Sequence, residues 1–180
     1  MGIPTLIGSA HTASGASEIE ITSGIDSTYD EYMFVITDWN PADDGYATFF
    51  NCSIDGGSNY NVAKTSAGFE VGHGESDAGG SIAFYVGISL AQATGYQQIN
   101  NGSGSEGDQS LSGIIHLYSP SNITYVKHYT ITSNVYTQTD YSYVCYQGGY
   151  FNTTSAINAI RFRGYSDGNF DAVIQMYGIA

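Results

Sequence analysis

The sequence predicts an all-β protein, an antiparallel β-sandwich of the jelly-roll kind. Runs rich in Tyr, Ile, Val and Thr alternate with clusters of Gly, Asn, Asp and Ser from one end of the chain to the other. Aromatic and β-branched residues favour strands, and the small polar residues favour the turns between them. The runs recur about every ten residues, which is typical of sandwiches and barrels. No window carries the apolar stripe of an amphipathic helix.

The alternation predicts strands along most of the chain. In order, they are Thr5–Gly8, Ser17–Thr22, Tyr32–Thr37, Tyr46–Ser53, Tyr60–Lys64, Ser81–Ile88, Leu111–Tyr118, Thr124–Thr132, Tyr141–Gln147, Ile157–Arg163 and Val173–Tyr177. Turn-forming clusters separate them at Asn40–Gly45, Asp55–Asn59, Ser119–Asn122 and Ser166–Asn169. Asn100–Ser110 is polar and Gly-rich, so we interpret it as an exposed loop. Ser89–Gly95 is long enough for one helical turn only.

The length and composition indicate one folded domain. The chain has 180 residues, of which 42% are hydrophobic, and this is too apolar for a disordered protein. Tyr accounts for 16 of the hydrophobic residues, so much of the apolar surface ends in a hydroxyl group. We expect residues 17–180 to form a single sandwich. Residues 1–16 carry little strand pattern and are predicted to be an N-terminal attachment segment.

The charge disfavours polyanionic partners. Four basic residues, Lys64, Lys127, Arg161 and Arg163, stand against 17 acidic ones, which gives a formal net charge of −13. Binding to nucleic acid requires Lys and Arg side chains that neutralise phosphates. The sequence therefore predicts no nucleic-acid partner and no anionic membrane surface as a partner.

The two cysteines are predicted to be buried thiols. Cys52 and Cys145 lie far apart in sequence, each within an apolar or aromatic run. A disulfide between them is the alternative. The first residues have neither the basic segment nor the apolar core of a secretory signal, and no run is long enough to span a membrane. We expect a soluble protein made in the cytoplasm.

Candidate metal and acid–base residues do not follow a recognised spacing. The histidines are His11, His73, His116 and His128; the last two lie in strands and could face each other across a sheet. Glu70–Asp77 has the highest density of acidic and His side chains, and we interpret it as a surface loop. Asp167–Asp171 begins like a calcium loop but lacks its Gly and closing Glu. The sequence therefore predicts no catalytic residues, no metal and no cofactor.

Aromatic residues offer one possible binding surface. The candidates for stacking on a sugar are Tyr141, Tyr143, Tyr146, Tyr150 and Trp39. Packing between strands, or a subunit interface, explains the same residues equally well.

Several segments of the sequence resemble those of a group of small structural proteins of bacteriophages, especially aquatic and marine phages. They are Ser23–Tyr32, Asp55–Asn61, Tyr125–Tyr129, Gly149–Ile157 and Ile174–Ile179. The likeness runs in order from about Ser17 to the C-terminus. It implies a component of the virion surface, either a capsid decoration (cement) protein or a tail-fibre-associated module. It brings no catalytic or binding motif with it.

These observations lead to one main functional expectation. We expect a non-enzymatic decoration protein on the outer surface of the phage head, bound to the major capsid protein or another virion protein, and assembled as a homotrimer. The alternative is a tail-fibre or tail-adaptor module that contacts host surface glycans. A glycoside hydrolase or lyase is disfavoured because no paired-carboxylate motif is present.

Overall fold

Residues 2–180 fold as twelve β-strands with two 3₁₀ helices of three residues each. A computed structural model describes residues 2–180. The strands are β1 (Thr5–Ala16), β2 (Glu18–Ile21), β3 (Glu31–Pro41), β4 (Thr48–Ser53), β5 (Lys64–Gly74), β6 (Gly79–Phe84), β7 (Gln97–Gln98), β8 (Leu111–Tyr118), β9 (Lys127–Tyr136), β10 (Tyr141–Phe151), β11 (Ala159–Gly164) and β12 (Phe170–Ile179). The 3₁₀ helices are Val86–Ile88 and Tyr165–Asp167.

The strands form two antiparallel sheets that pack together, so the predicted all-β sandwich is confirmed. The large sheet has eight strands in the order β1-β12-β3-β8-β9-β10-β5-β6, and the small sheet has four in the order β2-β11-β4-β7. Neighbouring strands are antiparallel throughout. The jelly-roll form of the sandwich stays a prediction.

An aromatic cluster joins the two sheets. Phe50 of β4, in the small sheet, lies edge-to-face with Tyr129 of β9 at 5.5 Å between ring centroids, and 6.2 Å from Phe151 of β10. Phe162 of β11 contacts Phe34 of β3 at 6.0 Å. All five rings are buried within one continuous core. Because buried rings of opposite sheets interlock, they fix how the sheets face each other.

The N-terminal segment is part of the large sheet. Residues 5–16 form β1, which pairs with β12 from Thr5↔Gly178 to Ala16↔Phe170 with two register shifts. Most of its side chains are exposed, and Ala13 is its one buried residue. The sandwich thus includes residues that the sequence assigned to the attachment segment. Their role in attachment stays a prediction.

Most of β5, one of the longest strands, was not predicted from the sequence. The predicted strand ends at Lys64, where β5 begins, and Glu70–Asp77 was predicted to be a loop. Gly72 pairs with Tyr143 of β10, and a Cβ atom on Gly72 would lie 2.2 Å from that ring. Glycine is present because the tyrosine ring packs over the backbone, so a residue that usually weakens a strand is required here.

Candidate functional site

The outer face of the large sheet carries a continuous row of uncharged side chains. Registered pairs link six strands, from β3 through β8, β9, β10 and β5 to β6. The row consists of Val35, Ile114, Thr132, Tyr146, Phe69 and Phe84. A second row, two residues along each strand, consists of Asn134, Val144, Val71 and Ile82. We call these ten residues the uncharged face.

The uncharged face is broad and shallow. With strands about 4.8 Å apart, its first row spans about 24 Å. Two shallow depressions lie on it: one of about 390 Å³ beside Ile114 and Val144, and one of about 440 Å³ beside Phe69 and Tyr146. Toward the β6 edge the side chains are prominently exposed, with Phe84 66% accessible. Large exposed apolar patches are typical of surfaces that contact another macromolecule.

None of the chain's 17 acidic residues belongs to the uncharged face. Glu70 lies between Phe69 and Val71 in sequence, but strand alternation turns it to the inner side of β5, where it accepts a hydrogen bond from Asn101. Removing an uncharged surface from water costs less free energy than removing one that carries carboxylates, and the whole chain has a net charge of −13.

The two lysines are buried rather than presented to a partner. Lys64 Nζ donates to the carbonyl of Gly95 at 2.5 Å, and burial lowers its pKa to about 8. Lys127 Nζ donates to the carbonyls of Tyr125 and Thr153 at 3.0 and 3.2 Å. Each ammonium group ties a loop to the start of a strand, because backbone carbonyls satisfy its hydrogen bonds inside the fold.

The two arginines lie on the outer face of the small sheet and are also engaged. Arg161 forms an ion pair with Glu20 and lies over the ring of Tyr60 at 4.2 Å. Arg163 lies over the ring of Tyr96, also at 4.2 Å. Cation–π stacking and ion pairing hold both guanidinium groups against the sheet.

An aromatic cleft opens at the end of the small sheet, on the side of the sandwich opposite the uncharged face. Its volume is about 240 Å³. We define the aromatic cleft by its side chains, which are Asp44, Tyr46, Phe49, Tyr85, Gln98, Asn101 and Tyr165. Tyr165 stands edge-to-face with Tyr46 at 5.3 Å and is 6.2 Å from Phe49. The three rings therefore form an aromatic corner.

A buried hydrogen-bond network anchors the segment that carries Gln98 and Asn101. Gln97 Oε1 accepts from Ser66 Oγ at 2.7 Å and from Tyr129 Oη at 2.8 Å. Its Nε2 donates to Gln147 Oε1 at 3.1 Å, and Gln147 Nε2 donates to the carbonyl of Ile99 at 2.6 Å. Because these groups are buried and mutually satisfied, they lock the cleft wall onto the large sheet.

The histidine pair suggested by the sequence does not form. His116 pairs in register with Thr130, and His128 pairs with Tyr150, so the two rings are not opposite each other. His116 Nδ1 instead contacts the Glu31 carboxylate. Residues 2–180 contain no group of three or more His, Cys, Asp or Glu residues that could hold a metal ion.

The acidic side chains of Glu70–Asp77 and of Asp167–Asp171 each contact different partners and do not converge on one site. Within Glu70–Asp77, Glu70 points inward, while His73 lies outward, 3.3 Å from Asp77. Burial raises the pKa of Glu70. Within Asp167–Asp171, Asp167 accepts from Arg163 at 2.6 Å. Asp171 accepts from the Gly15 backbone at 2.7 Å.

The aromatic residues proposed from sequence do not form one stripe. Tyr141 and Tyr143 lie on the inner side of β10, over glycines of β5. Tyr146 and Tyr150 occupy the opposite side of the same strand. Trp39 is fully buried, so its candidacy as a sugar platform was wrong.

The cysteines are buried free thiols, as predicted. Cys52 and Cys145 are fully buried and not bonded to each other. Burial raises the pKa of both thiols, that of Cys145 to about 11. A thiol that stays protonated at neutral pH is a poor nucleophile.

No residue of the aromatic cleft was predicted from the sequence to belong to a site. Tyr46, Tyr85 and Tyr165 are separated by many residues, and only the packing of three distant segments brings them together. The local signal was the run Gln97–Asn101 beside Tyr96, which is polar except for Ile99.

Comparison with family models, curated proteins and solved structures finds no match to this chain. Within the described residues, no helix is long and apolar enough to cross a membrane.

Proposed function

We propose that this protein is a non-enzymatic virion component of a bacteriophage, a decoration protein that binds the outer surface of the head through its uncharged face. The observation that carries the proposal is that face: ten side chains on six strands of the large sheet, none charged, in a chain of net charge −13. Its partner is the major capsid protein, or another virion protein, with a flat and largely uncharged surface.

The chemistry of the two faces supports this arrangement. A partner would cover the apolar side chains of Phe69, Val71, Ile82 and Phe84. Removing apolar surface from water stabilises a complex by about 25 cal/mol per Å². The polar members of the face, Thr132 and Asn134, carry no charge, so docking does not require removal of an ion from water. The acidic remainder of the chain stays solvated and faces away from the packaged genome.

The strand order supports the proposed class of protein, a virion component, by analogy. Four antiparallel pairs nest in sequence: β1 with β12, β2 with β11, β3 with β8, and β4 with β7, two pairs in each sheet. We propose that these eight strands are a jelly roll, with β5, β6, β9 and β10 as an extension of the large sheet. Jelly rolls occur in viral capsid proteins and in lectins. The fold alone does not determine function, so the proposal rests on the face.

We also propose that the protein acts as a homotrimer. Both ends of the large sheet, β1 and β6, have a free edge whose main-chain groups can pair with a neighbouring chain. Three linked copies would bind the particle with greater avidity than a single copy.

A particle reconstruction tests the proposed orientation. We expect the uncharged face to lie against the head and the outer face of the small sheet, with Arg161 and Arg163, to point to solvent. Density that places the small sheet against the head, with Phe69 and Ile82 in solvent, would contradict the proposal.

A further inference from the structure

We propose that the aromatic cleft binds a neutral saccharide. The inference goes beyond the proposed function, because the cleft lies on the side of the sandwich opposite the uncharged face and remains open when that face is covered. Four features of the cleft limit the ligand: its size, its aromatic surface, its hydrogen-bonding groups and its charge.

The size of the cleft suits one sugar unit. Its volume of about 240 Å³ falls just below the range of pockets that enclose drug-sized ligands, which begins at about 300 Å³. It is an open cleft at the protein surface, so the remainder of an oligosaccharide can continue into solvent.

The rings supply an apolar platform. Tyr165 is 53% exposed and meets Tyr46 edge-to-face at 5.3 Å, with Phe49 6.2 Å away. The apolar C–H face of a pyranose stacks on such rings, while its hydroxyl groups point outward to polar neighbours. A tyrosine hydroxyl can both donate and accept a hydrogen bond, so the hydroxyl groups of Tyr46 and Tyr165 suit the hydroxyl groups of a sugar.

The remaining groups are mainly hydrogen-bond acceptors. Gln98 Nε2 is engaged with Tyr85 Oη at 3.2 Å and with the Asn100 carbonyl at 2.7 Å, which leaves Oε1 as the free atom of the amide. Asn101 Nδ2 donates to Glu70 Oε1 at 3.2 Å, which leaves Oδ1 free. A cleft with several free acceptors selects a ligand with several O–H donors, and a sugar is such a ligand.

The wall behind the cleft has further unused polar capacity. Thr48 Oγ1, Asn100 Nδ2 and Ser103 Oγ are buried and have no hydrogen-bond partner among the described residues. All three atoms belong to the two segments that the Tyr46–Ser103 bridge joins. The same two segments supply residues of the cleft. Buried polar atoms are normally paired, so three unpaired ones in a single region are unusual.

The charge determines the class of sugar. The only charged side chain of the cleft is Asp44, whose Oδ1 accepts from the backbone and side chain of Ser105 at 2.8 and 3.0 Å. A sialic acid or uronic acid would bring a carboxylate to this group, and the cation beside the cleft, Arg163, which pairs in register with Phe49, already forms an ion pair with Asp167. The cleft therefore selects neutral hexoses or N-acetylhexosamines.

The test is a titration of the full-length protein followed by ¹H–¹⁵N NMR. The probes are methyl glycosides of glucose, galactose, mannose and N-acetylglucosamine, with methyl glucuronide as the anionic control and calcium chloride as the cation control. We expect at least one neutral glycoside to shift the side-chain amide signals of Gln98 and Asn101, with a Kd of about 1 mM.

Variants of one residue separate stacking from structure. Tyr165→Ala is expected to weaken binding at least tenfold, whereas Tyr165→Phe keeps the ring and keeps the affinity within about threefold. Tyr125→Ala, which removes an exposed tyrosine outside the cleft, leaves binding unchanged. Unshifted signals elsewhere in the spectrum show that each variant is folded.

Three results would overturn the inference: no shift of the Gln98 and Asn101 amides with any neutral glycoside, equal binding of methyl glucuronide, or the same shifts with calcium chloride alone. Because the titration uses the free protein, these results leave the proposed attachment through the uncharged face untouched. Conversely, failure of the protein to bind particles would leave the saccharide inference standing.

Discussion

Thr132→Asp is expected to lower the affinity of the protein for phage particles by roughly a hundredfold or more. Thr132 lies at the centre of the uncharged face, paired with Ile114 on one side and with Tyr146 on the other. Docking would bury the new carboxylate without a partner, and an unpaired buried charge costs about 3–5 kcal/mol. Because Thr132 is exposed in the free protein, the substitution leaves the fold intact.

Thr22→Asp is the matched control for this measurement. Thr22 is an exposed threonine that follows β2 of the small sheet, so the substitution adds the same charge on the other side of the sandwich. Co-sedimentation of each variant with particles that lack the protein measures both affinities. Wild-type binding by Thr132→Asp, or equal losses in the two variants, would mean that attachment does not involve the uncharged face.

Phe50→Ala is expected to destabilise the protein by about 3–5 kcal/mol. The ring of Phe50 is buried among Tyr129, Phe151 and Phe162, and its removal leaves a cavity where the two sheets meet. Urea unfolding, followed by circular dichroism, gives the change in the free energy of unfolding.

Phe49→Ala is the control, because the adjacent residue in β4 points to the outer side of the small sheet. Its loss should cost about 1 kcal/mol, the usual effect of a substitution outside the core. If the two variants cost the same, or if Phe49→Ala costs more, then the register of β4 is shifted by one residue and the faces are exchanged.

The sequence predicts strands best where the alternation is local. Leu111–Tyr118 was predicted at the bounds observed for β8, since Leu111, Ile115 and Leu117 alternate with less buried residues and a turn cluster follows. By contrast, β5 contains glycines because the tyrosine rings of β10 pack over its backbone. That contact joins residues about seventy positions apart. No local pattern contains that information.

The same limit applies to the two candidate surfaces. Alternation predicts the face of its strand on which Tyr146 lies, but only the strand order shows that Phe69 of β5 is its neighbour. The aromatic cleft depends even more on tertiary structure, because Tyr46, Tyr85 and Tyr165 come from three distant segments of the chain. Its wall depends on Gln97, a polar residue whose burial no hydrophobic pattern indicates.

The number of copies per purified particle tests the central claim most directly. A decoration protein of the head repeats with the capsid lattice, so we expect copies on the order of hundreds, in a multiple of three if the protein is a homotrimer. Quantitative mass spectrometry against the major capsid protein gives the count. A few dozen copies or fewer would contradict head decoration and favour the alternative, a tail-fibre or tail-adaptor module that contacts host glycans.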